Sequence, residues 1–224
     1  MIAWPRAVSV VGLGLVLTVA PGPWAGPGPG GAAPRERSLS ALGDRTNVEG
    51  RREAARDLGQ TGTMADIPAL VQALRDPDAA VRTLAEQSMW QVWSRSGDAD
   101  TDRLFASALE QMSLRQGEAA IETFSEVIAR RPDFAEGWNK RATIYYLLGD
   151  YQRSLADCDE VMKRNPYHFG ALSGYGMIYL QLDQPDRALE YFERALRVNP
   201  NLQSVEEAVE SIKTMLLQRR RNTL

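Results

Sequence analysis

Residues 135–168 read AEGWNKRATIYYLLGDYQRSLADCDEVMKRNPYH, and this stretch decides the fold. Pro166 near its end has counterparts at Pro132 and Pro200, at the same spacing in both directions along the chain. This spacing, a period of about 34 residues, is typical of a repeated helix–turn–helix unit. Other columns share the period, and they hold large, small or aromatic residues in turn: Leu104, Trp138 and Leu172; Ala108, Ala142 and Gly176; Ala120, Ser154 and Ala188; Phe124, Cys158 and Phe192.

Three units, residues 101–134, 135–168 and 169–202, resemble tetratricopeptide repeats. The resemblance implies an all-α fold, a right-handed α-solenoid of stacked helical hairpins, and a binding rather than a catalytic role. Two positions depart from the family pattern, since Gln111 takes a tyrosine place and Arg141 a leucine place. The residues that carry the pattern are Trp138, Ala142, Tyr145, Ser154, Cys158 and Pro166 in the middle unit, and Leu172, Gly176, Tyr179, Ala188, Phe192 and Pro200 in the last.

Residues 47–96 resemble a HEAT repeat and are expected to extend the solenoid from about residue 47 to 218. The resemblance implies that Asp76 or Asp78 bonds with Arg82 between helices. We expect Asp78 to cap a helix, and Trp90 and Trp93 to pack against the first tetratricopeptide helix near Leu104. The matching residues are Arg52, Ala54-Ala55, Leu58-Gly59, Ile67-Pro68-Ala69-Leu70, Asp76-Pro77-Asp78 and Val81-Arg82.

A capping helix is predicted over residues 203–218, where Val205, Val209, Ile212 and Leu216 fall on one face at helical spacing. This face would cover the last repeat, which otherwise exposes apolar surface. Residues 94–100 are predicted to form a tight turn.

Residues 1–33 differ in kind from the rest of the chain. Arg6 precedes an apolar run from Ala7 to Ala20, and a glycine- and proline-rich stretch follows. This order is typical of a secretory signal, with cleavage after Ala25 or Ala32. We therefore expect a periplasmic or secreted protein. The alternative is an uncleaved segment, residues 7–20, that anchors the protein to a membrane.

Composition excludes several kinds of site. The chain of 224 residues has a formal net charge of −3, which argues against a nucleic-acid partner. Cys158 and His168 are its single cysteine and histidine, so neither a disulfide, a structural metal site nor a catalytic pair is expected. We expect no cofactor. The acidic group Asp157, Asp159 and Glu160 is expected to be solvated on an outer helix face.

The first helix of each tetratricopeptide pair is implied to line a concave groove. The function expected is a non-enzymatic scaffold that binds a protein or peptide there, unless other parts of the chain cover the groove. Two alternatives remain open, a self-assembling structural component of an envelope complex and an enzyme with an unrecognised site. The predicted groove residues are Phe105, Leu109, Met112, Asn139, Thr143, Tyr146, Leu147, Ser173, Met177 and Leu180.

The family's receptors for chaperone tails hold a terminal carboxylate with basic residues at fixed inward positions. Phe105, Leu109, Gly170 and Gly174 stand at most of these positions here. The resemblance therefore does not extend to that kind of receptor.

Overall fold

The computed structural model describes residues 32–222. This part of the chain forms eleven α-helices and contains no strand, so the prediction of an all-α solenoid is confirmed. It divides into two compact units, residues 32–95 and 96–222. Residues 1–31, which hold most of the predicted export segment, lie outside the described part. Between residues 32 and 222, no helix combines the length and apolar character that a membrane span requires.

The unit of residues 32–95 contains four α-helices and a short 3-10 helix, Met64–Asp66. The sequence pattern did not reveal the first helix, because only Ser38 and Leu42 of its described side chains are buried. Asp78 caps the fourth helix as predicted, accepting a hydrogen bond from the Val81 N–H at 3.0 Å. The helices are α1 (Ala32–Leu42), α2 (Val48–Thr61), α3 (Ile67–Ala73) and α4 (Ala79–Trp93).

Arginine–aspartate pairs join the helices of this unit. Arg51 on α2 pairs with Asp76 at 2.7 Å, and Arg52 pairs with Asp78 at 2.6 Å. Arg82 instead donates to the backbone oxygens of Asp76 and Pro77 at 2.9 and 3.1 Å. The two aspartate carboxylates therefore pair with arginines of α2, and the HEAT assignment stays a prediction.

The unit of residues 96–222 consists of three helical hairpins and a final helix. Pro132, Pro166 and Pro200 each lie in a short turn that follows the second helix of a hairpin. Pro185 opens a second helix, where its missing N–H is not needed. The helices are α5 (Ala99–Ser113) with α6 (Gly117–Arg130), α7 (Ala135–Leu147) with α8 (Tyr151–Arg164), α9 (Phe169–Gln181) with α10 (Pro185–Val198), and α11 (Gln203–Asn222).

The turn inside each hairpin places one residue in the left-handed region. These residues are Arg115, Gly149 and Asp183, with φ of 58°, 78° and 52°. Each is one repeat period from the next, so the backbone of the turn repeats although its side chains do not. Only glycine adopts this conformation without a steric penalty.

Small and aromatic side chains meet between the two helices of a hairpin. Phe124 and Phe192 are fully buried at equivalent places on α6 and α10. A Cβ atom at Gly176 would come within 2.5 Å of the Phe192 ring, so the glycine is required for close approach. The final helix α11 packs on α10 and buries Val205, Val209 and Ile212.

Candidate functional site

The first helices of the hairpins form a continuous row. α5 contacts α7 and α7 contacts α9, whereas the second helices α6, α8 and α10 contact one another less. The resemblance to tetratricopeptide repeats implies that these first helices line the concave side of the stack. We call this side, formed by α5, α7 and α9, the inner face.

The ten predicted groove residues all lie on these three helices, but their exposure differs. Phe105 is buried in the core, edge-on to Phe124 and Phe134 at centroid distances of 5.6 and 5.1 Å. Met112, Asn139 and Ser173 are also buried. Which side chains contact a partner stays a prediction. The residues that keep more surface are Leu109, Thr143, Tyr146, Leu147, Met177 and Leu180.

A buried charged group lies beside the inner face, and the sequence pattern did not indicate it. Glu136 at the start of α7 is fully buried, and its Oε2 accepts a hydrogen bond from His168 Nε2 at 2.8 Å. Its Oε1 lies 3.0 Å from Lys140 Nζ and accepts from Asn139 Nδ2 at 3.1 Å. His168 Nδ1 accepts from the Ala171 N–H at 3.0 Å, which caps α9. Glu136 therefore joins the second hairpin to the third.

The partners of Glu136 decide its charge. Burial disfavours the ionised carboxylate, but Lys140 and His168 outweigh this cost and lower the pKa of Glu136 to about 2. Glu136 is therefore a carboxylate at neutral pH, and a carboxylate only accepts hydrogen bonds.

The expected solvation of Asp157 is wrong. Its side chain is buried and forms a bidentate ion pair with Arg141, with Nε–Oδ2 and Nη2–Oδ1 distances of 2.8 Å. Arg141 also donates to Ser125 on α6 at 2.9 Å, and its guanidinium lies 5.1 Å from the Trp138 ring. An arginine at the family's leucine position explains the burial, because it brings a charge between the helices that needs a partner.

The inner face carries an aromatic group near the end of α7. The Tyr146 ring lies 5.9 Å from that of Tyr151, and its hydroxyl accepts from Gln181 at 3.5 Å. Partial burial raises the pKa of Tyr146, so it is a neutral phenol at physiological pH. Together with Leu147 and Met177, it makes this part of the inner face uncharged.

The described residues contain neither a reactive thiol nor a group of metal ligands. Cys158 is buried between helices, and burial raises the pKa of its thiol to about 12. A thiol with this pKa is a poor nucleophile at neutral pH. Within residues 32–222, no three potential metal ligands come together.

Comparison with known proteins agrees with the hairpin architecture. Residues 133–201 match the family model described as tetratricopeptide repeat. A TPR repeat-containing protein of Rhizobium etli is 35% identical over 135 residues, which are 60% of this chain and 65% of that protein. Subunit 7 of the anaphase-promoting complex of Dictyostelium discoideum is 33% identical over 106 residues, which are 47% of this chain and 18% of that subunit. The chain thus spans less than two thirds of the length of either relative.

Two solved structures share the fold. The Sgt2 TPR domain from Aspergillus fumigatus superposes with a TM-score of 0.52 at 17% identity, over 55% of this chain and 83% of that domain. The first TPR of Spaghetti (RPAP3), bound to the HSP90 peptide SRMEEVD, gives a TM-score of 0.51 at 20% identity, over 54% of this chain and 96% of that domain. The predicted tetratricopeptide repeats are confirmed, and the HEAT-like lead-in stays a prediction.

Proposed function

Since residues 133–201 belong to the tetratricopeptide repeat family, we propose that this chain is a non-enzymatic adaptor that binds a protein segment on its inner face. One observation carries the proposal: α5, α7 and α9 form a continuous row that keeps apolar and uncharged polar side chains partly exposed. Rows of this kind bind peptides because they offer apolar contact along their length with few polar groups to fix the register.

The inner face does not favour an acidic chain terminus. The related Spaghetti domain binds a peptide that ends in two glutamates, a valine and an aspartate. In this chain the Nζ of Lys140 lies 3.0 Å from the buried Glu136, which offsets its charge. Gly170 and Gly174 bring no charge on α9. We therefore propose an internal, largely uncharged segment as the partner, and we expect SRMEEVD to bind no better than a scrambled peptide in calorimetry.

The test blocks the inner face and leaves the fold intact. Leu147→Glu and Met177→Glu place charges on α7 and α9, and we expect them to abolish partner capture from an extract. The control is Leu217→Glu, which adds the same charge at an exposed position on α11. Circular dichroism checks that all three variants keep their helices. Equal capture by wild type and both inner-face variants would place binding elsewhere and contradict the proposal.

Export is a second part of the proposal. It rests on the sequence alone: Arg6, the apolar run from Ala7 to Ala20 and the small residues after it. We expect the mature protein outside the cytoplasm, beginning after Ala25 or Ala32. Fractionation with N-terminal peptide mapping by mass spectrometry measures this directly. An intact N-terminus in the membrane fraction would instead support anchoring by residues 7–20, and an intact N-terminus in the cytosol would refute export.

A further inference from the structure

Three tyrosine rings stack in the third hairpin, and two arginines of α10 lie against them. The Tyr191 ring stacks on those of Tyr175 and Tyr179 at centroid distances of 4.3 and 5.4 Å. The Arg187 guanidinium lies 4.0 Å from the centroid of Tyr179, and that of Arg194 lies 4.7 Å from the centroid of Tyr191. Steps of four and three residues place Arg187, Tyr191 and Arg194 on one face of α10. We call these five residues the arginine–tyrosine surface.

Neither arginine of this surface has a carboxylate partner among the described residues. Arg187 donates to the amide oxygen of Gln184 at 3.1 Å, and no described residue offers the Arg194 guanidinium a hydrogen-bond acceptor. Arg187 is exposed and Arg194 is partly exposed. A guanidinium carries five N–H donors in a planar fork that matches a carboxylate. Most of these donors therefore remain available to a second molecule.

The second hairpin shows which group this arrangement takes when the chain supplies one. Arg153, one period before Arg187, lies 5.4 Å from the Tyr145 ring and pairs with the Asp150 carboxylate at 3.1 Å. One period after Asp150 stands Gln184, whose amide is neutral. The third hairpin thus repeats the arginine and the tyrosine without the carboxylate.

From this arrangement we infer that the arginine–tyrosine surface is a second binding site, which takes an acidic protein segment through two of its carboxylate side chains. The site lies on α10 and is separate from the inner face. Contact with a ring holds each guanidinium plane in place, so less side-chain freedom is lost when a carboxylate binds. The Tyr191 ring is partly exposed and offers apolar contact to the aliphatic part of the bound side chains.

The neighbouring charges favour two separate carboxylates over a continuous polyanion. Glu190 lies between the two arginines in the sequence of α10 and is exposed, and Asp159 accepts a hydrogen bond from the Tyr175 hydroxyl. Glu193 pairs with Lys213 at 3.6 Å, which offsets its charge. Glu190 and Asp159 would repel the closely spaced phosphates of a nucleic acid or an anionic membrane. A protein segment can place uncharged residues beside them.

The test begins with linear peptides from a random phage-displayed library. They are selected on the full chain, with counter-selection on an Arg187→Gln/Arg194→Gln variant, and we expect each to contain at least two aspartates or glutamates. The strongest peptide is synthesised, and its Kd is measured by calorimetry at physiological salt. Each single arginine-to-glutamine change should weaken binding about tenfold, as the loss of charge-assisted hydrogen bonds predicts. Lysine at either position should restore only part of the affinity, because it lacks the planar fork.

Two variants distinguish a built site from net charge. Arg153→Gln removes the same charge from the equivalent position of the second hairpin, where Asp150 already pairs with the arginine. It should change the Kd by less than about twofold, because salt screens exposed charges at a distance. Gln184→Asp should weaken binding, since it gives Arg187 the internal carboxylate that Arg153 has. Aspartate is favoured at the start of a helix, so this variant should keep its fold.

The outcomes decide both the site and the class of partner. Selected peptides without acidic residues, or acidic peptides that bind the Arg187→Gln/Arg194→Gln variant equally well, would overturn the inference. A single-stranded oligonucleotide and phosphatidylglycerol vesicles are measured alongside, and binding of either through these arginines where no acidic peptide binds would show that the partner class is wrong. Leu147→Glu/Met177→Glu should leave the Kd of the acidic peptide unchanged, and a loss on that variant would place the peptide on the inner face instead.

Discussion

Replacing Asp157 by asparagine tests how the second hairpin is held together. The Asp157 carboxylate accepts two hydrogen bonds from Arg141 at 2.8 Å, and the two side chains keep 6% and 16% of their surface exposed. Removing one partner of a fully buried ion pair costs about 3–5 kcal/mol, whereas an exposed pair contributes about 0–1 kcal/mol. Asparagine keeps one oxygen that can accept. We therefore expect Asp157→Asn to lower the free energy of unfolding by about 2–3 kcal/mol.

The measurement is urea unfolding of the full chain, followed by circular dichroism. Glu126→Gln is the matched control, because Glu126 pairs with Arg130 at 2.5 Å while both side chains remain about half exposed. This control should change the free energy of unfolding by less than about 0.5 kcal/mol. A loss below about 1 kcal/mol for Asp157→Asn, or a loss equal to that of the control, would refute the burial argument.

Three further predictions each concern a single residue. The pKa of Glu136 is about 2 in the folded chain, whereas its ordinary value is 4.5. The contribution of Glu136 to the free energy of unfolding is therefore complete above pH 4.5 and is lost as the pH falls through 2. A pH series of unfolding curves should show this loss, and Glu136→Gln should reduce it. Cys158 should resist thiol reagents at neutral pH in the native protein and react at once in urea, and rapid native labelling would contradict its burial. Gly149→Ala should lower the free energy of unfolding by about 1 kcal/mol through its φ of 78° alone, since no atom lies within 4 Å of the added Cβ. Gly174→Ala, whose Cβ would make an ordinary contact at 3.8 Å, should be neutral or stabilising in the same unfolding measurement. Equal effects of the two variants would refute the backbone explanation.

The period of the sequence predicts the hairpins because it constrains every repeat in the same way. A small residue opposite an aromatic one, as in Gly176 and Phe192, and a proline after the second helix are properties of single columns. Such columns can be compared between units without coordinates. They therefore predict helix pairing and the order of the stack, and the positions of α5 to α10 agree with them.

The candidate site was less predictable because its chemistry depends on pairs. Glu136 and His168 occupy no shared column, so neither residue indicates the other. The sequence predicts the amide of Asn139 on the inner face, but its orientation depends on Glu136. The acidic cluster predicts a solvated Asp157 because neighbouring carboxylates on a helix usually are solvated, and the burial of Arg141 opposite it changes that outcome.

Two hairpins with the same backbone hold different pairs of side chains at the same two positions of the repeat. In the second hairpin, Arg141 and Asp157 form an ion pair between α7 and α8. One period later, Tyr175 and Tyr191 stand at these positions and stack at a centroid distance of 4.3 Å. Both pairs fill the space between the helices of a hairpin, one by charge and one by aromatic contact.

Each pair also bonds to a polar side chain of the preceding hairpin, at the same position of the repeat. Ser125 on α6 accepts from Arg141, and Asp159, one period later on α8, accepts from the Tyr175 hydroxyl. A serine suffices for Arg141 because Asp157 already balances its charge, whereas the neutral Tyr175–Tyr191 pair can bond to a carboxylate without bringing two anions together. In these two hairpins the three positions hold compatible side chains, and Arg141, which departs from the family pattern, is accommodated in the same fold by its contacts with Asp157 and Ser125.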